Sequence, residues 1–455
     1  MNTRTLPLLF ALAACGSDDG SNVIDGPPSD GVLPPILVAG GGVAPTPIDG
    51  AINVYVIDAS LGVPLAGIAV HLGGAGGAIQ LDATTDPTGL AVLRDPGLTG
   101  PQTITASAPG RTAVTWVGVA GANVTIPLPA RPQGVGTALV TGTITGWNSL
   151  PSPSFGHYNL AVVTSSFTSD PGALDNRIPQ GGTANTCVNS GLGGSCDWRL
   201  TARTGEQMIT AVIVDGDARG TTDPGNDTYT LIGYATSPAR TLASGQEVNG
   251  LALTLLPAGA RVPMTVQFPT AAPGLGRTIA IPMLDLGGPG QIPHPLPTLV
   301  PGQASTQVIA ATGAFAGTHR VIGLATPSAT ATMPYSSSFT AAPNPSSVTL
   351  PAWLPPPSGV TGTGSTVAFT AASGTTLAFA NLIVGGGVTA WSITVLDSTR
   401  SFTLPTITPD PLSGGGGTLE VSTAEVPGFD ATQFELRAIA PAVTRVSGAS
   451  APFSR

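Results

Sequence analysis

Along most of the chain, apolar residues come in short runs that alternate with polar ones, and glycine and proline separate the runs. In "AINVYVIDAS" the apolar Ile52, Val54 and Val56 recur every second position, the period of a half-buried strand. The same texture continues through "TALVTGTITGW", "YNLAVVTSSF", "QMITAVIVDG", "TYTLIGYAT" and "LALTLLP", which build one sandwich over 136–257. A second set, "VPMTVQFP", "RTIAIPML", "STQVIAA", "HRVIGLAT" and "SSVTLPAWL", builds another over 258–354. "PPPSGV" then reads as a linker, and a C-terminal β-domain over 358–455 holds the runs from "STVAFTA" to "FELRAIAP". Short strands at close spacing favour sandwiches, and no segment carries a capped helical period of any length. The predicted fold class is therefore all-β, with tandem sandwiches of immunoglobulin-like or transthyretin-like type.

Residues 15–48 break this pattern. "GSDDGSNVIDGPPSDGVLPPILVAGGGVAPTPI", which follows Cys15, has no period and repeats glycine, proline and aspartate, so it reads as a flexible tether. Composition narrows the function classes. Charged residues make up 9 % of the 455, all 16 basic residues are arginine, and the net charge is −9. Clustered lysine and arginine are what track phosphates, so nucleic acid is not an expected partner. The 61 glycines and 45 prolines would suggest low complexity, but 42 % of the chain is hydrophobic and gathered in strand-like runs.

At the N-terminus, Arg4 precedes an apolar stretch from Leu6 to Ala14. That stretch is far short of the ~20 residues a membrane span needs, and the order of charge, apolar core and small residues is that of a secretory signal. Leu12-Ala13-Ala14-Cys15 resembles the lipobox of bacterial lipoproteins. The resemblance implies cleavage of signal peptide 1–14, a diacylglycerol on the Cys15 sulfur and acylation of its new amino group. The expected partner is then the membrane, reached through this lipid. Gly16, where an aspartate would favour inner-membrane retention, points to the outer membrane.

Residues 49–130 carry a second resemblance. Asp58, the run Gly62-Val63-Pro64-Leu65-Ala66-Gly67, the turn Thr85-Asp86-Pro87-Thr88-Gly89 and Ala108-Pro109-Gly110 resemble the carboxypeptidase regulatory-like domain, a transthyretin-like sandwich. The match covers roughly 50–129 and departs from the pattern at the glycine-rich insert 73–78. It implies a module with no catalytic residues of its own, serving as stalk, spacer or partner-binding element.

Candidate chemistry is sparse. Cys187 and Cys196 in "CVNSGLGGSC" are an expected disulfide in an exported chain. "DGDARGTTDPGND" offers Asp215, Asp217, Asp223, Asn226 and Asp227 as oxygen ligands for calcium. Arg219 and Asn226 occupy positions where an EF-hand has ligands of another kind, so the alternatives are an irregular calcium loop or a plain polar hairpin. His71, His157, His294 and His319 show no metal-ligand spacing, and no GxSxG or phosphate loop is present. Trp147, Phe155, His157 and Tyr158 form the candidate platform for a glycan or partner, against the alternative that they close a sandwich core. No cofactor is required by these motifs, and no catalytic residue is assigned. The leading reading is a lipid-anchored envelope protein presenting β-domains for structural or adhesive contacts with an envelope protein. Glycan or peptide recognition is the alternative, and a hydrolase assembled from distant residues the third.

Overall fold

In the computed structural model the described residues are 35–59, 61–74, 77–131, 137–167, 174–175, 186–189, 196–203, 205–218, 220, 228–243, 245–257, 261–270, 274–285, 291–293, 303–309, 318–328, 333–342, 347–413 and 415–454. Their regular structure is almost entirely β. Four apolar cores follow one another along the chain, mainly within 43–128, 138–253, 264–353 and 367–453, although the first also takes residues from later segments and the fourth takes Ala113 and Val117.

The first core lies between two sheets. One is five-stranded, in the order Phe434–Glu435, Gly42–Pro47, Gly121–Leu128, Asp49–Asp58, Leu90–Thr99. The other is the end of a 15-stranded sheet, where Ala113–Val119, Gln102–Ser107, Ala69–Leu72 and Leu81–Thr84 are neighbours. Ile52, Val54 and Val56 point inward and are fully buried, as their alternation requires. The hairpin before Leu90 is set by Asp86, whose Oδ1 accepts the Thr88 N–H at 2.8 Å, the Thr88 hydroxyl at 2.6 Å and the Leu90 N–H at 3.1 Å. Gly89 takes φ +79°, which side chains rarely adopt, and its carbonyl accepts the Val56 N–H. Asp58 accepts the Leu61 N–H on one oxygen and Arg111 Nη1 on the other, at 3.0 and 2.9 Å.

The expected tether ends earlier than residue 48. Gly42–Pro47 is a strand between Gly121–Leu128 and Phe434–Glu435. Ahead of it, Asn123 Oδ1 accepts the Ile36 N–H at 3.0 Å and Thr125 Oγ1 the Val38 N–H at 2.9 Å. The glycines that suggested a linker answer a packing need: a β-carbon on Gly42, at φ +146°, would collide with the Phe434 carbonyl.

The second core is enclosed by a nine-stranded sheet running from Thr137–Thr145 to Glu247–Pro257. The third lies between Arg277–Asp285 with Thr318–Thr326 and the three-stranded sheet of Gln303–Ile309, Arg261–Gln267 and Ser347–Thr349. The fourth packs Leu377–Val384, Val388–Val395 and Gly417–Glu425 beneath Thr366–Thr370.

Backbone ladders cross the expected borders. Ala113–Val119 runs parallel to Val388–Val395, with Ala113 opposite Trp391 and Val117 opposite Val395. Tyr335–Ala342 runs antiparallel to Arg445–Ser454, with Tyr335 opposite Gly448. The expected linker at "PPPSGV" is thus bridged on both sides, and the Pro355 carbonyl accepts the Ser447 hydroxyl at 2.9 Å. "FELRAIAP" is also not a full strand: only Phe434–Glu435 is extended, and Leu436–Ala442 is a short helix. Leu436, Ile439 and Val443 supply the reason, because their spacing of three and four puts all three into the first core.

Candidate functional site

The residues singled out for binding converge on one end of the second sandwich. His157–Phe167 pairs with Gly205–Asp217 in antiparallel register, so His157 faces Asp217 and Asn159 faces Asp215. His157 Nδ1 lies 3.0 Å from Asp215 Oδ2, and both side chains are about 30 % exposed. Asn159 Nδ2 donates to the Pro151 carbonyl at 3.0 Å, and the Ala218 N–H donates to the Gly156 carbonyl at 3.0 Å. These bonds clamp the loop 150–156 onto the strand end that opens the acidic loop.

The four aromatic and histidine residues do not share one surface. Trp147 is 3 % exposed and belongs to the second core, so it is a core residue rather than the open face a platform needs. Tyr158 is half-buried on the sheet's outer side, its ring lying over Gly216 so closely that a β-carbon there would meet it at 2.6 Å. Phe155 stands free at the loop tip, its side chain wholly in solvent. His157 is committed to Asp215.

Of the proposed calcium ligands, Asp215 and Asp217 share one face at the end of Gly205–Asp217, and Gly220 beyond them has φ +69°. Asp223, Asn226 and Asp227 lie outside the described residues, as do Cys15 and the part of the expected tether up to residue 34. Among the described residues no group of three or more His, Cys, Asp or Glu could hold one metal ion. Cys196 is buried and disulfide-bonded, whereas the side chain of Cys187, whose backbone lies opposite Ala161, is outside the described set. His71 pairs with the exposed Asp82 at 2.8 Å, His319 is buried in the third module, and His294 is not described.

Two features escaped sequence reasoning. Burial raises the Glu420 carboxyl above its usual range in the middle of the large sheet. Gln207 continues the inward face of Ile209, Ala211 and Ile213 yet is polar and fully buried. The alternation in "EQMITAVIV" is the signal that could have found it.

No helix among the described residues is long and apolar enough to cross a membrane. No family model and no curated protein matches the chain. Among solved structures it is similar to the Bacillus anthracis TIE protein, at 10 % identity over 67 % of this chain and 50 % of that one, with a TM-score of 0.16. It is similar also to GBS52, the minor pilin of Streptococcus agalactiae, at 12 % identity over 47 % and 98 %, TM-score 0.16. A third is BcpA, the major pilin subunit of Bacillus cereus, at 12 % over 66 % and 98 %, TM-score 0.15. The chain spans half the length of the first of these.

Proposed function

We propose that this chain is a lipid-anchored envelope protein whose β-modules make structural or adhesive contacts without catalysing a reaction. Cys15 carries the lipid, the following residues tether the folded part to the outer membrane, and Cys187 bonds to Cys196. The observation that carries the mechanical part of the reading is the ladder between Ala113–Val119 and Val388–Val395, which joins the first module to the last. Such a ladder opens only if several backbone hydrogen bonds break together, so a load entering at one module passes to the other without a flexible hinge. A body that transmits load suits a scaffold or adhesive role.

The test uses intact cells. Wild-type protein should be retained in the membrane fraction and carry acyl chains on its N-terminal peptide by mass spectrometry, whereas Cys15→Ser should appear unacylated or unprocessed. A mature form that begins elsewhere and lacks lipid would refute the anchor. Cells lacking the protein should lose adhesion or envelope integrity, and unchanged cells in both assays would refute the role.

A second reading, glycan or peptide recognition, draws on Phe155. A fully exposed aromatic at a clamped loop tip is an available anchor for a partner. Binding that is lost in Phe155→Ala and kept in Trp147→Phe would favour it.

A further inference from the structure

In the second sandwich the parallel ladder between Thr137–Thr145 and Glu247–Pro257 carries one irregularity. Its register sets Val248 opposite Val140 and then Leu251 opposite Gly142, so Asn249 and Gly250 together face Thr141. An extra residue of this kind is left out of the pairing and bends its strand. The other neighbour of that strand, Thr228–Thr236, joins it only from Thr254 onward. Just past the irregularity the two strands press together, because a β-carbon on Gly142 would meet the Leu251 carbonyl. Gly250 takes φ +71°, and open space lies where its β-carbon would stand. Asn249 and Gly250 are both exposed, and the Thr141 hydroxyl donates to Asn249 Oδ1 at 2.9 Å.

Asn249–Gly250 is the only asparagine–glycine pair in the 455 residues. The side-chain amide carbon of an asparagine is an electrophile within reach of the main-chain nitrogen that follows it. Ring closure between the two needs that nitrogen uncommitted, unshielded and open to a base. Here the nitrogen belongs to a residue with no side chain and no opposing residue, in open space. The Thr141 donor already sits on the oxygen where negative charge develops as the nitrogen adds, so its bond strengthens toward the transition state.

We propose that Asn249 is a self-modifying site, which closes onto Gly250 and loses its amide. Water or hydroxide takes the Gly250 N–H proton, the nitrogen bonds to Asn249 Cγ, and the Cγ–Nδ2 bond breaks with release of ammonia. Water then opens the succinimide at either carbonyl, giving aspartate or isoaspartate with no oxidation or reduction. Both products add one negative charge. Isoaspartate also inserts a carbon into the main chain, at the one place where this ladder already holds an unpaired residue. Thr141 is a positioning residue, and water is the only co-reactant. The site is independent of the adhesive reading.

Peptide mapping of the full chain, aged in native buffer at mildly alkaline pH, tests this. The tryptic peptide 241–261 should convert to two more acidic forms, one of which an isoaspartyl methyltransferase labels. The peptide carrying Asn148, which is likewise exposed, should stay unchanged over the same period. Gly250→Ala and Asn249→Gln should each abolish the conversion. Thr141→Val should slow it roughly 3-fold, the effect of one hydrogen bond open to water. Conversion at Asn249 no faster than at Asn148 would overturn the proposal. So would conversion in urea but not in native buffer, because the fold would then shield the amide. An unchanged rate in Thr141→Val would remove the threonine from the reaction.

Discussion

The indole N–H of Trp391 donates to the hydroxyl of Thr115, 276 positions earlier in the chain, at 2.8 Å. Thr115 Oγ1 also lies 2.8 Å from Thr105 Oγ1, so the threonine accepts from the tryptophan and is free to donate onward. Both partners are essentially excluded from water. A directional bond therefore fixes the register with which the last module meets the first. Thr115→Val keeps the shape but strands a buried donor, and should cost about 1–3 kcal/mol. Trp391→Phe removes that donor, so the double variant should lose less than the sum of the singles. Urea unfolding of all four proteins measures this coupling, and strict additivity would show that the bond contributes nothing.

Acid should loosen the joint between the third and fourth modules. Glu425 takes Arg445 Nη2 at 2.7 Å and the Thr444 hydroxyl at 2.8 Å, while Arg445 Nη1 reaches the Ala352 carbonyl at 3.2 Å. The hydrogen bond from Arg445 holds the Glu425 carboxyl below its usual range. A carboxyl depressed in the folded state stabilises it above the unfolded value, near ~4.3, and that contribution fades as pH falls through the folded one. Glu425→Gln should cost about 1 kcal/mol at neutral pH, since the pair is partly open to solvent. The difference from wild type should vanish in acid. Glu420 has the opposite sign: burial raises it, so its contribution is complete at low pH and is lost as pH rises through the raised value. Denaturant midpoints between pH 3 and 8 separate the two.

Two glycines with similar signatures in the sequence should respond differently to alanine. Gly42 has φ +146° and backs onto the Phe434 carbonyl, whereas Gly62 has φ +68° and open space where a β-carbon would go. Gly62→Ala then meets only the left-handed backbone cost, about 1–2 kcal/mol. Gly42→Ala must also push its strand off Phe434–Glu435, and should cost about 3 kcal/mol or more. Thermal unfolding of the two variants ranks them, and equal losses would mean that Gly42 serves conformation alone.

What was legible in the sequence is what depends on near neighbours. The alternation of Ile52, Val54 and Val56 and the turn at Asp86–Gly89 are local, and the structure follows both. Ala113–Val119 is buried on both faces because two different cores cover it, a fact set by strands almost 280 residues away. The Leu436–Ala442 helix hid because two turns are too short for a period to stand out. Of the two readings left open for Trp147 the structure shows the core one, a choice its sequence neighbours could not make because they do not say whether its sheet will be covered. Gln207, in contrast, was readable as a polar residue at an inward position of a strand.

The N-terminal junction should detach before the modules unfold. Asn123 is fully buried and its Oδ1 accepts both the Ile36 N–H and the Asn53 Nδ2, each at 3.0 Å, while its Nδ2 donates to Thr46 at 3.2 Å. One side chain thus ties residues 36, 46 and 53 to Gly121–Leu128. Asn123→Leu keeps the bulk but leaves the Ile36 N–H and the Asn53 amide without that acceptor, at a cost of about 1–3 kcal/mol for each group that stays buried. Ile36 is already 43 % exposed, so it can recover its bond from water by lifting away. Opening of residues 35–47 should therefore become the cheapest motion of the variant. Hydrogen exchange should show faster exchange at Ile36 and Val38 with the second core unchanged, and limited proteolysis should cut between residues 35 and 49. Equal protection in variant and wild type would mean that the ladder from Gly42 to Pro47, not Asn123, holds the junction closed.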